Sequence, residues 1–398
     1  MTIYDRKYET MPRAQLEQLQ LERLQSLLAR LRRNVRRYRE QLGETHIESL
    51  AELNKLPLTT PEDMAAAFPY GMFALPLRET VRLHPTIGPG GRPLVTGYSP
   101  NDLAQWGRLV ARQLMASGVT ANDVVQICLG DGAYRGESGY VLGAEAIEAS
   151  VIAEKPYHID SQLAMLQNYR PTMLVTTPDN AQQLVHVMES RKIDPPSLHL
   201  RTVLLSRPVD ADTREAISAG LLVAVRCNFG IDEILDPGFS LECEEGNLHV
   251  NEDQYLIEIK DGELVVTTLV REAMPLLRYC TRISCQLLNQ KCPCGRTSAI
   301  INPGRRLDGR LLVREARIYE NQIAEVLAQT RAANHPFRIQ VTERHVVVEI
   351  QISKELFSDV IWSLMKLQHE IETEFKSRLG LETEVRLTMP EPHIENRS

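Results

Sequence analysis

No apolar run in the chain approaches the roughly 18 residues that a membrane-spanning helix needs, so a helical anchor is not expected. No basic tract dominates either, and with a formal net charge of -7 nucleic acid is not the default partner. Internal repeats and low-complexity segments are missing. The start, Met1-Thr2-Ile3-Tyr4-Asp5-Arg6, does not read as a signal peptide, which makes a soluble, cytoplasmic protein the expectation. Seven cysteines are an odd number and lie scattered, which favours free thiols and metal ligation over a disulfide framework. Cys128, Cys227, Cys280 and Cys285 read as core or pocket residues, since none has an obvious histidine and acid partner for thiol catalysis.

What is present is a chain of 398 residues, enough for more than one core. An apolar stripe from Leu16 to Val35 predicts a helix over 13–42, whose later half carries Arg30, Arg32, Arg33, Arg36, Arg37 and Arg39. That face is either simply solvated or a surface for an acidic partner. Asn101 reads as the cap of a helix over 101–118. Strands at 124–129, 151–153, 173–177 and 203–206 alternate with helices at 144–149, 181–189 and 213–219, predicting an α/β, largely parallel, doubly wound sheet. After Pro303 the charged run Gly304-Arg305-Arg306-Leu307-Asp308-Gly309 marks a boundary. It divides a large N-terminal domain, 1–303, from a small α+β domain, 304–398, with an antiparallel sheet and two helices on one face.

Three stretches carry chemistry. The loop Thr86-Ile87-Gly88-Pro89-Gly90-Gly91-Arg92-Pro93 could present backbone N–H groups to phosphate or could be a plain turn between strands; lacking a lysine followed by serine or threonine, it is not a Walker loop. Asp232 and Glu233 follow the Phe229-Gly230 turn at an expected strand end, where carboxylates can hold Mg2+ with phosphate oxygens. Cys243, His249, Cys292 and Cys294 supply three thiolates and an imidazole, a full tetrahedral set with no open position. That composition predicts a structural Zn2+ clipping the 242–249 hairpin to the loop after Leu288, although a Cys-x-Cys pair is tighter than the usual zinc spacing.

These pieces, together with Glu9-Thr10-Met11-Pro12-Arg13, Phe68-Pro69-Tyr70-Gly71, Glu272-Ala273-Met274-Pro275-Leu276-Leu277-Arg278-Tyr279 and Cys292-Pro293-Cys294-Gly295-Arg296, resemble a phenylacetate-CoA ligase of the adenylate-forming superfamily over nearly the whole chain. The resemblance implies a large domain of adenylate-forming type that binds ATP and an aryl acid, and a small domain that rotates between adenylation and thioester formation with coenzyme A. It implies nucleotide contacts at Thr86, Gly88, Gly90, Gly91, Arg92, Phe229, Gly230, Tyr279 and Arg305, a Mg2+ carboxylate at Glu233, a hinge at Gly304-Arg305 with Asp308, and a homodimer.

The chain departs from the family where ATP is handled. The family's Ser-Ser-Gly-Thr-Thr-Gly-Lys-Pro loop has lost most of its hydroxyls and, at Pro89, an N–H. In the family's Arg-Tyr-Arg-Thr-Arg-Asp segment the aspartate accepts the ribose hydroxyls, and here Ile283 stands in its place. The C-terminal lysine of the family has no counterpart after Lys376; the tail offers only Arg397 and His393. An apolar aryl pocket has become Asp131, Tyr134, Arg135 and Glu137, with Arg207 nearby in kind, which argues against phenylacetate itself. Three readings follow: a ligase fold with little or no adenylation that binds a nucleotide, an acyl ligand such as an acyl-CoA, or a protein partner; a working ligase for a polar acid; and an assembly module using Arg32, Arg33 and Arg36.

Overall fold

The computed structural model of the chain describes residues 2–88, 91–129, 137–152, 158–313, 316–341, 346–353, 361–380 and 382–388. They form two compact units: one of residues 1–86 and 93–307, the other of 87–92 and 308–398. Among the described residues no helix is long and apolar enough to cross a membrane.

Short β-branched and leucine-rich runs separated by helices build a five-stranded parallel sheet in the order Ser150–Ile152, Val124–Cys128, Met173–Thr176, Thr202–Leu205, Ala224–Cys227. Its side chains alternate between two cores, as the period of a strand requires. Val125, Ile127, Val175 and Leu204 join Leu109, Val110 and Ala144 on one side, whereas Leu174, Val203, Leu205 and Val225 join Leu163, Leu184 and Ile217 on the other. The helices Pro100–Ala116 and Glu137–Ala146 pack closely because Gly143 faces Val110; a Cβ there would sit 2.6 Å from the valine Cγ1.

Several expectations shift. The helix read over 13–42 is two helices, Arg13–Asn34 and Arg36–Leu42, broken at the extended, buried Val35. Its arginines work mostly inside the chain. Arg39 donates to the Arg32 and Arg33 carbonyls at 2.8 and 2.5 Å, covering the end of the first helix, and Arg37 pairs with Asp63 at 2.7 Å. Arg32 donates to the Gly43 and Thr45 carbonyls; Arg36 pairs with Glu40, and Arg33 is exposed. The cap of the next helix is Ser99, in a capping box with Asp102, while Asn101 donates to Glu272 instead. The helix read at 144–149 starts seven residues earlier, at Glu137.

A second, six-stranded sheet was read only at its 242–249 hairpin: Tyr255–Lys260, Glu263–Thr268, Tyr279–Leu288, Ile300–Arg306, Leu248–Val250 and Ser240–Glu242, antiparallel throughout its described pairings. Its last long strand occupies the expected linker, Arg306 lying opposite Ile283. The chain therefore divides between Leu307 and Asp308, and the turn 87–92 groups with the second unit.

The second unit carries the sheet Phe337–Val341, Val346–Gln351, Thr383–Thr388 and the helices Glu320–Leu327 and Ile361–Leu379. The sheet is mixed, not antiparallel: the last two strands run parallel, since the helix between them returns the chain to the same end. Ile323, Val348, Ile350, Leu367, Ile371 and Phe375 form its core.

Asp102 joins these elements. It accepts from the Ser99 N–H at 2.9 Å, closing its own helix, and from the Glu272 and Ala273 N–H groups at 2.8 and 3.0 Å. Asp102→Ala strands three backbone donors. We expect it to lower the unfolding free energy of the large unit by roughly 3 kcal/mol, read as a shifted urea midpoint.

Candidate functional site

Two places in the first unit gather the sequence candidates. The hairpin Ser240–Glu242 to Leu248–Val250, with Leu241 opposite His249, brings Cys243 and His249 to one end. Gly246 turns it at φ +76°, and Gly295, at φ +74°, turns the Cys292-Pro293-Cys294 loop toward it. The four ligand atoms of Cys243, His249, Cys292 and Cys294 all lie within 4.8 Å of one another, and all four residues are buried. Cys243 Sγ is 3.6 Å from Cys292 Sγ, and Cys294 Sγ is 3.4 Å from His249 Nε2. The edge of a tetrahedron built on metal–sulfur bonds of about 2.3 Å is roughly 3.8 Å, so these separations suit one small ion. All seven cysteines are free thiols.

The surroundings orient the donors. His249 Nδ1 is 3.2 Å from the Ser298 carbonyl, which can only accept, so the proton sits on Nδ1 and the Nε2 lone pair faces the sulfurs. Burial pushes the imidazole down to about 4, keeping it neutral, the form that ligates. Burial also pushes Cys243 up to about 12 and raises Cys294. Cys292, despite its burial, is held below the ordinary thiol range by the Cys294 N–H and by the Asn247 amide, 3.2 Å from its sulfur.

The same loop holds down the start of the chain. Arg296 pairs with Glu9 at 2.8 Å with side chains 0% and 3% exposed, and donates to the Thr2 carbonyl. Thr297 bonds the Glu9 and Met11 carbonyls, and Glu252 links Arg13 to the Ala299 N–H. None of these supporting residues was singled out from the sequence. The available signal was an unpaired charge in each of two quoted motifs, Glu9 in one and Arg296 in the other.

The second place is the carboxyl edge of the parallel sheet. Phe229–Glu233 follow Ala224–Cys227, Arg207 follows Thr202–Leu205, and Glu137 opens the helix after Val124–Cys128. Because parallel strands share a direction, all three emerge at the edge where open α/β sheets bind ligands. Arg207 lies 3.5 Å from Asp179. Gly230 is required for packing: a Cβ on it would fall 2.1 Å from Asp236 Oδ1, which accepts from Asn228 Nδ2 at 2.7 Å. Phe229 turns inward against Phe239, ring centroids 6.0 Å apart. Glu233 is buried at 5% exposure, and its side chain makes no hydrogen bond or ion pair with the described residues.

The remaining candidates are dispersed. Tyr279 is buried at the start of its strand, and Thr86 is buried at the end of Arg82–Ile87. The Gly88 N–H donates to the Arg92 carbonyl at 2.8 Å, closing a turn in which Gly91 has φ +72° and Arg92 is exposed. Arg305 is exposed and its carbonyl accepts from Ser284; Asp308 accepts from the Arg310 N–H at 3.3 Å. Gly90, Asp131, Tyr134 and Arg135 lie outside the described residues, as does the tail from 389 onward.

A sequence profile of the AMP-binding enzyme C-terminal domain matches residues 316–396. The chain is 32% identical to phenylacetate-coenzyme A ligase of Thermus thermophilus, over 98% of this chain and 96% of that protein. To the phenylacetate-coenzyme A ligase of Pseudomonas putida it is 30% identical, over 94% and 90%. Among solved structures, 2-hydroxyisobutyryl-CoA ligase in complex with 2-HIB-AMP and CoA matches with a TM-score of 0.85 at 22% identity, over 97% of this chain and 89% of that one.

The buried Arg296–Glu9 pair gives a direct expectation. Arg296→Gln leaves a carboxylate buried without its counter-charge and should cost about 3–5 kcal/mol in urea unfolding. Adding Glu9→Gln should recover much of that loss, because the unpaired charge goes with it.

Proposed function

This chain belongs to the phenylacetate-CoA ligase family of adenylate-forming proteins, and from that premise we propose that it keeps the ligase scaffold and a structural zinc while adenylating poorly or not at all. Its role is to bind a nucleotide, an acyl ligand or a protein partner. The observation that carries this reading is Ile283. It is 6% exposed and part of the large core, at the position where the family resemblance calls for the carboxylate that accepts the ribose hydroxyls. An isoleucine accepts nothing, and each charge-assisted hydrogen bond forgone costs about 1.5–3 kcal/mol, roughly ten- to a hundredfold in affinity.

Calorimetric titration of the metal-loaded protein with ATP, with and without Mg2+, tests the reading. The expected result is no binding below the millimolar range and no carboxylate-dependent pyrophosphate release. Micromolar, Mg2+-dependent binding with pyrophosphate release would instead establish an active ligase for a polar acid. Glu233 favours that alternative, since a buried carboxylate without a described partner is disposed to hold a cation.

Zinc fits the Cys243, His249, Cys292 and Cys294 donor set: three soft sulfurs, one neutral imidazole nitrogen and separations matching a tetrahedron. Bound there, the ion would supply a closed coordination shell, with no open position for water. The chain's own part is positional, because Arg296 and Thr297 tie the ligand loop to residues 2–11. Metal analysis should find one Zn2+ per chain, lost in the Cys292→Ser Cys294→Ser variant. Stripping it with a chelator should also raise tryptic cleavage at Arg6, Lys7 and Arg13 at least several-fold, as the arm loses its anchor. A metal-free protein with an equally protected arm would remove the claim.

A further inference from the structure

Away from both places described above, the helix Arg13–Asn34 and the turn at 269–272 enclose a cleft of about 390 Å3. None of its lining residues belongs to the cysteine cluster or to the loop at 228–237. Leu27, Leu269 and Val270 form an apolar wall, with Arg23, Arg30 and Glu272 around it.

The charges of this cleft are unevenly satisfied. Glu272 already accepts from Ser99 Oγ at 2.7 Å and from Asn101 Nδ2 at 2.9 Å. Arg23 donates to the Asp253 carbonyl and lies over the Tyr8 ring, 5.5 Å from its centroid. Arg30 differs. One of its terminal nitrogens donates to the Arg271 carbonyl, but its Nε is buried with no partner, and among the described residues no carboxylate reaches it. Asp102 and Glu272 act on it only from a distance, and burial lowers its pKa. Its other terminal nitrogen has no partner among the described residues and is not enclosed, so a half-buried guanidinium with a reachable donor stands beside the apolar wall, an unfilled half of a recognition pair.

We propose that this cleft binds a small amphipathic monocarboxylate, its carboxylate on Arg30 and its apolar body against Leu27, Leu269 and Val270. A carboxylate matches the planar guanidinium fork. Glu22 and Glu272 at the cleft select against polyanions, for which a second negative charge would be repelled. The site goes beyond the proposed function, because an acid held here is remote in sequence from the Phe229–Glu233 loop and its binding needs neither ATP nor metal chemistry.

Calorimetric titration of the full, metal-loaded chain with sodium hexanoate tests this, with inorganic phosphate as the comparator. Hexanoate should bind at one site that Arg30→Gln weakens tenfold or more. Ser26→Trp, which fills the cleft from an exposed position, should do the same and serves alone if Arg30→Gln does not fold. Glu233→Gln should leave the binding unchanged. The proposal is overturned if hexanoate does not bind, if the cleft variants that fold bind it as the parent does, or if Glu233→Gln abolishes binding, which would locate the acid at the carboxyl edge. Phosphate binding as tightly as hexanoate would likewise reduce the cleft to a bare anion site.

Discussion

Buried charge pairs between distant parts of the chain are the constraint on which the large unit depends. Arg296 meets Glu9 at 2.8 Å and Arg112 meets Asp253 at 2.7 Å. Taking such groups out of water costs several kcal/mol each unless the partner is in place, so compact arrangements that separate them are penalised. The pairs contribute specificity more than net stability. Arg112 shows how closely they are nested: besides both Asp253 oxygens it reaches Asn251 at 3.1 Å and Asp5 at 3.3 Å, joining the first residues to the turn between the strands Leu248–Val250 and Tyr255–Lys260. The cysteine cluster sits on this frame, because the loop that carries Cys292 and Cys294 also carries Arg296.

What could be read from the sequence follows from how local each signal is. Four strands of the parallel sheet were legible because each is a short apolar run followed by a helix; the fifth, Ala224–Cys227, was expected only as a strand end before the Phe229-Gly230 turn, and no helix follows it. Within the antiparallel sheet, Lys260-Asp261-Gly262-Glu263 was also readable in principle: an Asp-Gly pair between two β-rich runs makes a tight hairpin, and both residues have positive φ, 51° and 79°. The long strands were not. Tyr279–Leu288 shifts register against both neighbours, and Ile300–Arg306 contains Pro303 and Gly304, which read locally as a linker. Pairing with two neighbours, Tyr279–Leu288 and Leu248–Val250, decides that strand, and such pairing is invisible in a window of ten residues.

The cysteine cluster divides the same way. Its donors were legible because side-chain chemistry and approximate spacing suffice to name them. Their support was not, since the Ser298 carbonyl that fixes the His249 tautomer is a backbone group and carries no sequence signature. The Arg13–Asn34 helix errs in the opposite direction. A run of arginines looks like a surface, yet Arg32, Arg37 and Arg39 spend donors on carbonyls and a carboxylate of the same chain. Charge count shows that cations are present, not where their hydrogen bonds go.

Retained family motifs therefore have to be weighed by what else holds them in place. Gly230 is fixed by the approach of Asp236, and Phe229 by its packing on Phe239, so either would persist in a chain that never met ATP. Ile283 packs into the core at the position where the resemblance calls for a carboxylate, which would need partners of its own there. Glu233 stands apart. Its side chain is 5% exposed and accepts nothing from the described residues, so no contact among them accounts for a carboxylate at this position. Packing therefore explains Phe229, Gly230 and Ile283 without a ligand, whereas Glu233 is a position at which packing alone gives no reason for the residue.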